Sequence, residues 1–160
     1  MNNRGFTLVE VIVAVGMISL VLVGVISSIS LSLSSVARAE NNLIAANLAQ
    51  EGLEIVRNIR DKDWHSGAVF GSSLTNGDYL VEWSSQSLLP FSDVFLKKDS
   101  AGLYSYSAGQ DAIFKRKIII QNSAENGPAV EKVAKVEVSW AEKSGPKIIQ
   151  AELRLFNWQP

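Results

Sequence analysis

The sequence contains no cysteine and only one histidine, His65. The absence of cysteine excludes disulfide scaffolds, thiol nucleophiles and cysteine-based zinc sites. A single imidazole excludes the HExxH zinc motif, which needs two. Charge is also scarce and balanced, with 15 Lys+Arg against 16 Asp+Glu, so the chain lacks the net basic charge typical of nucleic-acid binding proteins. We therefore expect no catalytic residue, no cofactor, no metal and no specific nucleic-acid partner.

A long apolar run dominates the start of the chain. Residues 6–26 read FTLVEVIVAVGMISLVLVGVI and contain one charge, Glu10. As a helix rising about 1.5 Å per residue, this run is about 32 Å long, which matches a hydrocarbon core of about 30 Å. A cleaved secretory signal has an apolar core of only about 7–15 residues, and a buried core helix would need covering layers that a short chain does not have. The sequence therefore predicts a transmembrane helix over residues 6–26.

Glu10 does not fit a plain membrane anchor. A carboxylate well inside an apolar span costs about 2.5–3.5 kcal/mol on insertion scales, so it should have a partner or a task. No Lys, Arg or His follows it within residues 11–26. A charged partner must therefore come from elsewhere in the chain or from another molecule.

The residues around Glu10 also carry a family resemblance. Residues 4–10, RGFTLVE, at the head of an apolar helix, resemble the class III signal of type IV pilins and pseudopilins. The resemblance implies that prepilin peptidase cuts after Gly5, that the new N-terminal Phe6 is N-methylated, and that Glu10 neutralises the N-terminal amine of a neighbouring subunit during assembly. It implies a substrate of processing enzymes and a structural protein, not an enzyme.

The second part of the predicted helix is amphipathic. Over residues 27–60, a helical wheel separates a polar half from an apolar half. The apolar half contains Ile44, Ala45, Ala46, Leu48, Ala49, Leu53, Ile55, Val56 and Ile59. One continuous helix from about residue 6 to residue 60 is therefore expected, some 80 Å long. Residues 48–54, LAQEGLE, are also similar to the corresponding stretch of minor pilins and minor pseudopilins.

From residue 61 onward the apolar residues recur with a period of two, which is typical of half-buried strands. The predicted strands are centred on Tyr79–Val81–Trp83, on residues 114–121, on residues 134–140 and on residues 149–155. Turn sequences NGP and SGP precede the last two. Short connections favour antiparallel neighbours, so we expect a C-terminal meander packed on the amphipathic helix half. Residues 84–112 are predicted to form a hairpin-and-loop insertion.

A second group of polar residues follows the helix. Asp61, Asp63 and His65 alternate and invite a metal-site interpretation, but the calcium-loop pattern with its central glycine and terminal glutamate is missing. We predict solvated residues at a helix end.

These observations predict an α+β fold of the pilin type. Residues 1–5 form a leader peptide, residues 6–26 a transmembrane helix, residues 27–60 its amphipathic continuation, and residues 61–160 an antiparallel β globular domain. Arg4 in the leader orients the span by the positive-inside rule. The protein is expected in the cytoplasmic (inner) membrane as a single-pass protein with an extracytoplasmic C-terminal domain, and in a pilus or pseudopilus after assembly.

The function implied by the resemblance is that of a minor pilin or pseudopilin in a type IV pilus, serving adhesion or DNA uptake, or in a type II secretion filament. Many major pilins close their C-terminal region with a disulfide, which this chain cannot form. The implied partners are other pilin or pseudopilin subunits, the prepilin peptidase/methyltransferase, the inner-membrane assembly platform and membrane lipid. The alternative is a non-polymerising, membrane-anchored extracytoplasmic binding domain whose N-terminus matches the signal by chance.

Overall fold

The computed structural model describes residues 7–157. This part of the chain consists of helix α1 (Leu8–His65) followed by strands β1 (Gly77–Leu80), β2 (Leu89–Pro90), β3 (Lys97–Lys98), β4 (Tyr104–Ser105), β5 (Gln110–Asp111), β6 (Phe114–Asn122), β7 (Glu131–Glu142) and β8 (Gly145–Phe156). The chain divides into two compact units, Met1–Asn41 and Asn42–Pro160.

The first unit is helical over its described length. Its side chains are exposed from residue 7 to residue 40. An 18-residue window of α1 near the N-terminus has a mean hydropathy of 2.7, and none of it is buried. A helix this long and apolar can cross a membrane.

Serine hydroxyls in the first unit are satisfied within the helix itself. Ser27 Oγ donates to the carbonyl of Val23 (2.9 Å), and Ser30 Oγ donates to that of Ile26 (3.1 Å). The same bond to the residue four positions earlier is made by Ser19, Ser32, Ser34 and Ser35. Because these six hydroxyl protons have an acceptor, the serine-rich stretch exposes few unsatisfied donors to an apolar environment.

The second unit forms where α1, from Asn42 onward, packs on the main sheet. Its core contains Ala45, Leu48, Val56 and Ile59 from the helix and the inward-facing residues of β6 and β7. The α+β fold and the packing of the amphipathic helix half on a C-terminal antiparallel sheet are therefore confirmed. Gly52 lies at the closest approach, because a Cβ atom there would stand 3.1 Å from Val136 Cγ1 and 3.2 Å from Ile118 Cδ1.

The main sheet has five strands in the order β2-β1-β6-β7-β8, and all neighbours are antiparallel. The predicted meander is formed by β6, β7 and β8. Residues Ala134, Val136 and Val138 of β7 are completely buried. The insertion between β1 and β6 contributes β2 and a small three-stranded sheet in the order β4-β3-β5.

The helix ends at His65, beyond the end near Arg60 that the sequence predicts. Gly67 has a φ of 71°, a left-handed conformation that glycine adopts without steric cost. The amide of Gly67 donates to the carbonyl of Trp64 (3.0 Å), and that of Ala68 donates to the carbonyl of Asp63 (3.0 Å). This pair of bonds is a Schellman motif, which caps the last turn.

The prediction of one alternating strand through Tyr79, Val81 and Trp83 is wrong. Strand β1 ends at Leu80, both Leu80 and Val81 are buried, and Trp83 is 56% exposed. The chain turns immediately after Val81, because the amide of Ser85 donates to the carbonyl of Glu82 (2.8 Å). That turn ends the alternation and directs Trp83 outward.

Candidate functional site

The predicted assembly residue Glu10 lies in the first turn of α1. Its backbone amide donates to Thr7 Oγ1 (3.3 Å), and the carbonyl of Thr7 accepts from the amide of Val11 (3.2 Å). Thr7 is therefore the N-cap of the helix, and Glu10 occupies the third helical position. The predicted cleavage residues Gly5 and Phe6 lie outside the described residues.

The helix terminus only partly explains a carboxylate at this position. A negative charge in the first helical turn gains about 0.3–1 kcal/mol from the helix macrodipole. The cost of placing a carboxylate at the centre of an apolar span is larger, about 2.5–3.5 kcal/mol, and Glu10, near the start of the span, incurs part of it. Within residues 7–157, no Lys, Arg or His side chain forms an ion pair with Glu10. Glu10 therefore lies in the apolar part of α1 without a cationic partner among the described residues.

The surface around Glu10 is almost wholly apolar. Large hydrophobic side chains from Leu8 to Val36 are between 48% and 77% exposed. Contiguous apolar patches above a few hundred Å² are rare on soluble monomers and mark contacts with lipid or other proteins. The site is thus a single carboxylate near the start of an apolar helix, an arrangement suited to membrane insertion and to helix packing.

Residues 1–35 match the model of the prokaryotic N-terminal methylation motif. The chain carries a type IV pilin-like prepilin signal. The matched segment contains the predicted cleavage position, Glu10 and most of the exposed apolar helix, so the family resemblance of this signal is confirmed. No curated protein and no solved structure shows a significant match to the chain.

The match covers the N-terminal segment of the chain and supports a type IV pilin-like protein. Proteins that carry this signal are in general structural proteins, with pilin subunits and prepilin peptidase as partners. The apolar helix and the signal together fit a membrane-anchored protein that later enters a pilus.

The alternating polar residues of the last helical turns do not come together as a metal site. Asp61 pairs with Arg60 (Oδ1 to Nε, 2.5 Å), whereas His65 is exposed. Among residues 7–157, no group of three or more His, Asp or Glu side chains is placed to hold a metal ion.

The prediction that Asp63 is solvated is wrong. Asp63 is only 9% exposed. Its carboxylate accepts hydrogen bonds from the amide of Ser73 (3.0 Å), the hydroxyl of Ser73 (2.6 Å) and the hydroxyl of Ser72 (3.3 Å). These bonds tie the loop after the helix to the last helical turn, which gives Asp63 a structural role.

A buried arginine joins three elements of the second unit. Arg116 on β6 is 1% exposed. Its Nη1 donates to the carbonyl of Leu48 (3.0 Å) and to Glu51 Oε1 (3.0 Å), and its Nη2 donates to the carbonyl of Val81. Arg116 therefore links the helix, the end of β1 and the sheet. Its burial was not predicted from the sequence, although its place between Phe114 and Ile118 on the inward face of a strand was a signal.

A second buried charge lies at the start of β7. Glu131 is completely buried, and its Oε2 accepts a hydrogen bond from Asn126 Nδ2 (2.6 Å). Hydrogen bonds from Ser123 and then Asn126, together with attraction from Arg154, hold the pKa of Glu131 below its usual range. The same arginine also pairs with Glu125 (3.1 Å).

The depressed pKa of Glu131 predicts acid sensitivity of the sheet unit. A carboxyl group whose pKa is lower in the folded state stabilises the fold above its unfolded-state pKa of about 4.3, and this contribution is lost as the pH falls through the folded-state pKa. We expect Glu131→Gln to lower the thermal unfolding midpoint at pH 7 and to reduce its fall between pH 5 and about pH 3. Circular dichroism of the full chain in detergent measures both effects.

The control for this prediction is Glu54→Gln. Glu54 pairs with Arg57 on the exposed helix face, where its side chain is 55% exposed. Removing its charge should change neither the midpoint at pH 7 nor its pH dependence by a comparable amount. If the thermal unfolding midpoint depended on pH in the same way in the wild type and in Glu131→Gln, the assigned role of Glu131 would be contradicted.

Proposed function

We propose that the protein is a minor pilin or minor pseudopilin, a low-abundance structural subunit of a type IV pilus or type II secretion filament. Prepilin peptidase cleaves it between Gly5 and Phe6, and Phe6 is N-methylated. The observation that carries the proposal is the match of residues 1–35 to the N-terminal methylation motif on a helix whose apolar surface is exposed.

The proposed topology assigns a role to each segment. Residues 1–5 are the cytoplasmic leader, residues 6–26 span the cytoplasmic membrane, residues 27–60 continue the helix, and residues 61–160 form the extracytoplasmic domain. The exposed apolar surface of α1 contacts lipid before assembly and neighbouring helices afterwards. When the helix leaves the lipid and joins a bundle of helices, its association with the neighbouring helices depends on close packing and on polar contacts.

The proposed role of Glu10 is to pair with the N-terminal amine of a neighbouring subunit. Support comes from the balance of free energies, since the helix terminus offsets only part of the cost of burying this carboxylate. A charge-assisted hydrogen bond to an amine would compensate the remainder. In the assembled filament this contact fixes the axial position of one helix against the next.

The proposed minor role is supported by the absence of cysteine and by the LAQEGLE segment. The test is to shear filaments from cells that carry or lack the prepilin peptidase and to quantify the protein by mass spectrometry. We expect it in the filament fraction only when the peptidase is present, and in amounts well below those of the main subunit. If the protein is the main component, the minor role is wrong. If it stays entirely in the membrane fraction, it is an anchored domain and not a filament subunit.

A further inference from the structure

A small pocket lies where the end of α1 meets the end of β8. The last turns of the helix, the loop that follows it and the last residues of the strand all contribute to its walls. The cavity is narrow, about 20 Å³, which is room for about one water molecule. Most of its walls are apolar, and its lining includes Arg60, Trp64, Ala68, Phe70, Phe156 and Asn157.

Asn157, the residue after β8, is fixed at the edge of this pocket. Its amide donates to the carbonyl of Val130 (2.8 Å), and its Nδ2 donates to the carbonyl of Ala129 (3.1 Å). The next residue is Trp158, whose Cα atom is about 3.8 Å further along the chain. The side chain at position 158 therefore starts within reach of the pocket.

The alternation of side chains along a strand gives the direction. Side chains two positions apart in an extended chain lie on the same side of it. Phe156 lines the pocket and is 45% exposed. If the chain continues in the extended conformation of β8, position 158 lies on the same side as Phe156. An indole at this position lies beside the exposed ring of Phe156 and next to the mouth of the pocket.

We propose that the indole of Trp158 lies across the mouth of this pocket and joins the end of β8 to the end of α1. The cavity is too small to admit an indole, so the ring covers the pocket and does not fill it. Trp64 and Phe70 offer aromatic surface, with which an indole packs favourably. Arg60, whose side chain is only 13% exposed, adds a guanidinium on which the ring can stack. Covering the apolar walls removes them from water.

This closure holds the end of an edge strand. β8 pairs with β7 on one side only, and the end of such a strand frays unless side chains hold it. A disulfide cannot do so, because the chain has no cysteine. The closure involves the second unit alone and is independent of processing, so an uncleaved Gly5→Leu chain should show it equally well.

Fluorine NMR of the full chain in detergent, labelled with 5-fluorotryptophan, tests the closure directly. The chain has four tryptophans, and Trp158→Phe identifies the signal of Trp158. The change in chemical shift of each signal between light and heavy water reports its exposure to solvent. Trp140, which is 4% exposed, and Trp83, which is 56% exposed, are internal references. We expect a change for Trp158 of less than half that for Trp83, and a larger change would overturn the proposal.

A variant that obstructs the pocket tests where Trp158 is covered. Ala68→Leu places a longer side chain at the mouth and should raise the solvent-dependent shift of Trp158 to about that of Trp83. Val69→Leu is the matched control, because Val69 is 81% exposed and does not line the pocket. If Ala68→Leu left the signal of Trp158 unchanged, the indole would be covered elsewhere. Shielding that disappears on dilution would place Trp158 against a second copy, and either result would overturn the proposal.

Thermal unfolding gives a second readout that needs no label and no pocket variant. Trp158→Ala should lower the unfolding midpoint of the full chain in detergent by several degrees, because a large apolar contact is lost. Gln159→Ala, at the next position, is the matched control and should leave the midpoint unchanged. Circular dichroism measures both midpoints, and equal midpoints for the two variants would overturn the proposal.

Discussion

Glu10→Ala is expected to abolish incorporation of the protein into filaments while leaving membrane insertion and cleavage intact. The substitution removes a carboxylate from an apolar span and so makes insertion easier, by less than the about 2.5–3.5 kcal/mol that such a group costs at the centre of a span, because Glu10 lies in the first helical turn. It also leaves the N-terminal amine of the neighbouring subunit without a partner in a low-dielectric bundle, where an unpaired charge is strongly destabilising. The amount of the variant in sheared filaments, relative to its amount in the membrane, measures the effect.

Two further variants separate charge from volume and position. Glu10→Gln keeps the shape of the side chain but not its charge, and should fail in the same way as Glu10→Ala. Glu40→Ala removes an exposed glutamate of the same helix outside residues 6–26 and should be incorporated normally. Normal incorporation of Glu10→Gln would refute the proposed pairing with an amine.

Arg116→Ala is expected to destabilise the sheet unit by up to about 3–5 kcal/mol, the cost of removing one partner from a fully buried charged pair, because Arg116 is buried whereas the side chain of Glu51 is 35% exposed. The guanidinium donates to two backbone carbonyls, of Leu48 and Val81, and to the carboxylate of Glu51. All three acceptors lose the hydrogen bond from Arg116 together. A loss of this size is a large part of the roughly 5–15 kcal/mol typical of a domain. Guanidinium chloride unfolding of the full chain in detergent, followed by tryptophan fluorescence, measures it.

The matched control is Lys115→Ala, one position earlier on the same strand. Lys115 faces the other side of the sheet, where it pairs with Asp93 (2.7 Å) and lies over the ring of Phe95. A partly exposed pair of this kind contributes about 0–1 kcal/mol. Similar losses of stability for Arg116→Ala and Lys115→Ala would contradict the role of Arg116 as a buried link.

The helix and the meander could be predicted from the sequence because their patterns are long and regular. The apolar run, the amphipathic half and the alternation in β7 and β8 each repeat over several turns or pleats, so one irregular residue does not hide the period. Turn glycines and prolines marked the connections before β7 and β8. The prepilin signal could also be recognised from the sequence, because its residues are consecutive in the chain.

The buried polar residues could not be predicted in the same way. Asp63, Arg116 and Glu131 are satisfied by partners far away in sequence or by loop residues, so their burial depends on the tertiary fold. A charged residue on the inward face of a strand interrupts the alternation of apolar and polar residues. Among these three residues, only Arg116 could be predicted to be buried in this way. Glycine at position 52 weakens the helix by about 1 kcal/mol relative to alanine. Only the structure explains why a glycine stands there, because a Cβ atom would be crowded by Val136 and Ile118.

The central claim is that the chain is processed as a prepilin, and the intact mass of the protein from its native membrane tests it most directly. With the prepilin peptidase present, we predict loss of residues 1–5 and the gain of one methyl group on Phe6. Without the peptidase, or with Gly5→Leu, the leader should remain. An unprocessed N-terminus in the presence of an active peptidase, or cleavage at a position other than Gly5–Phe6, would contradict the account.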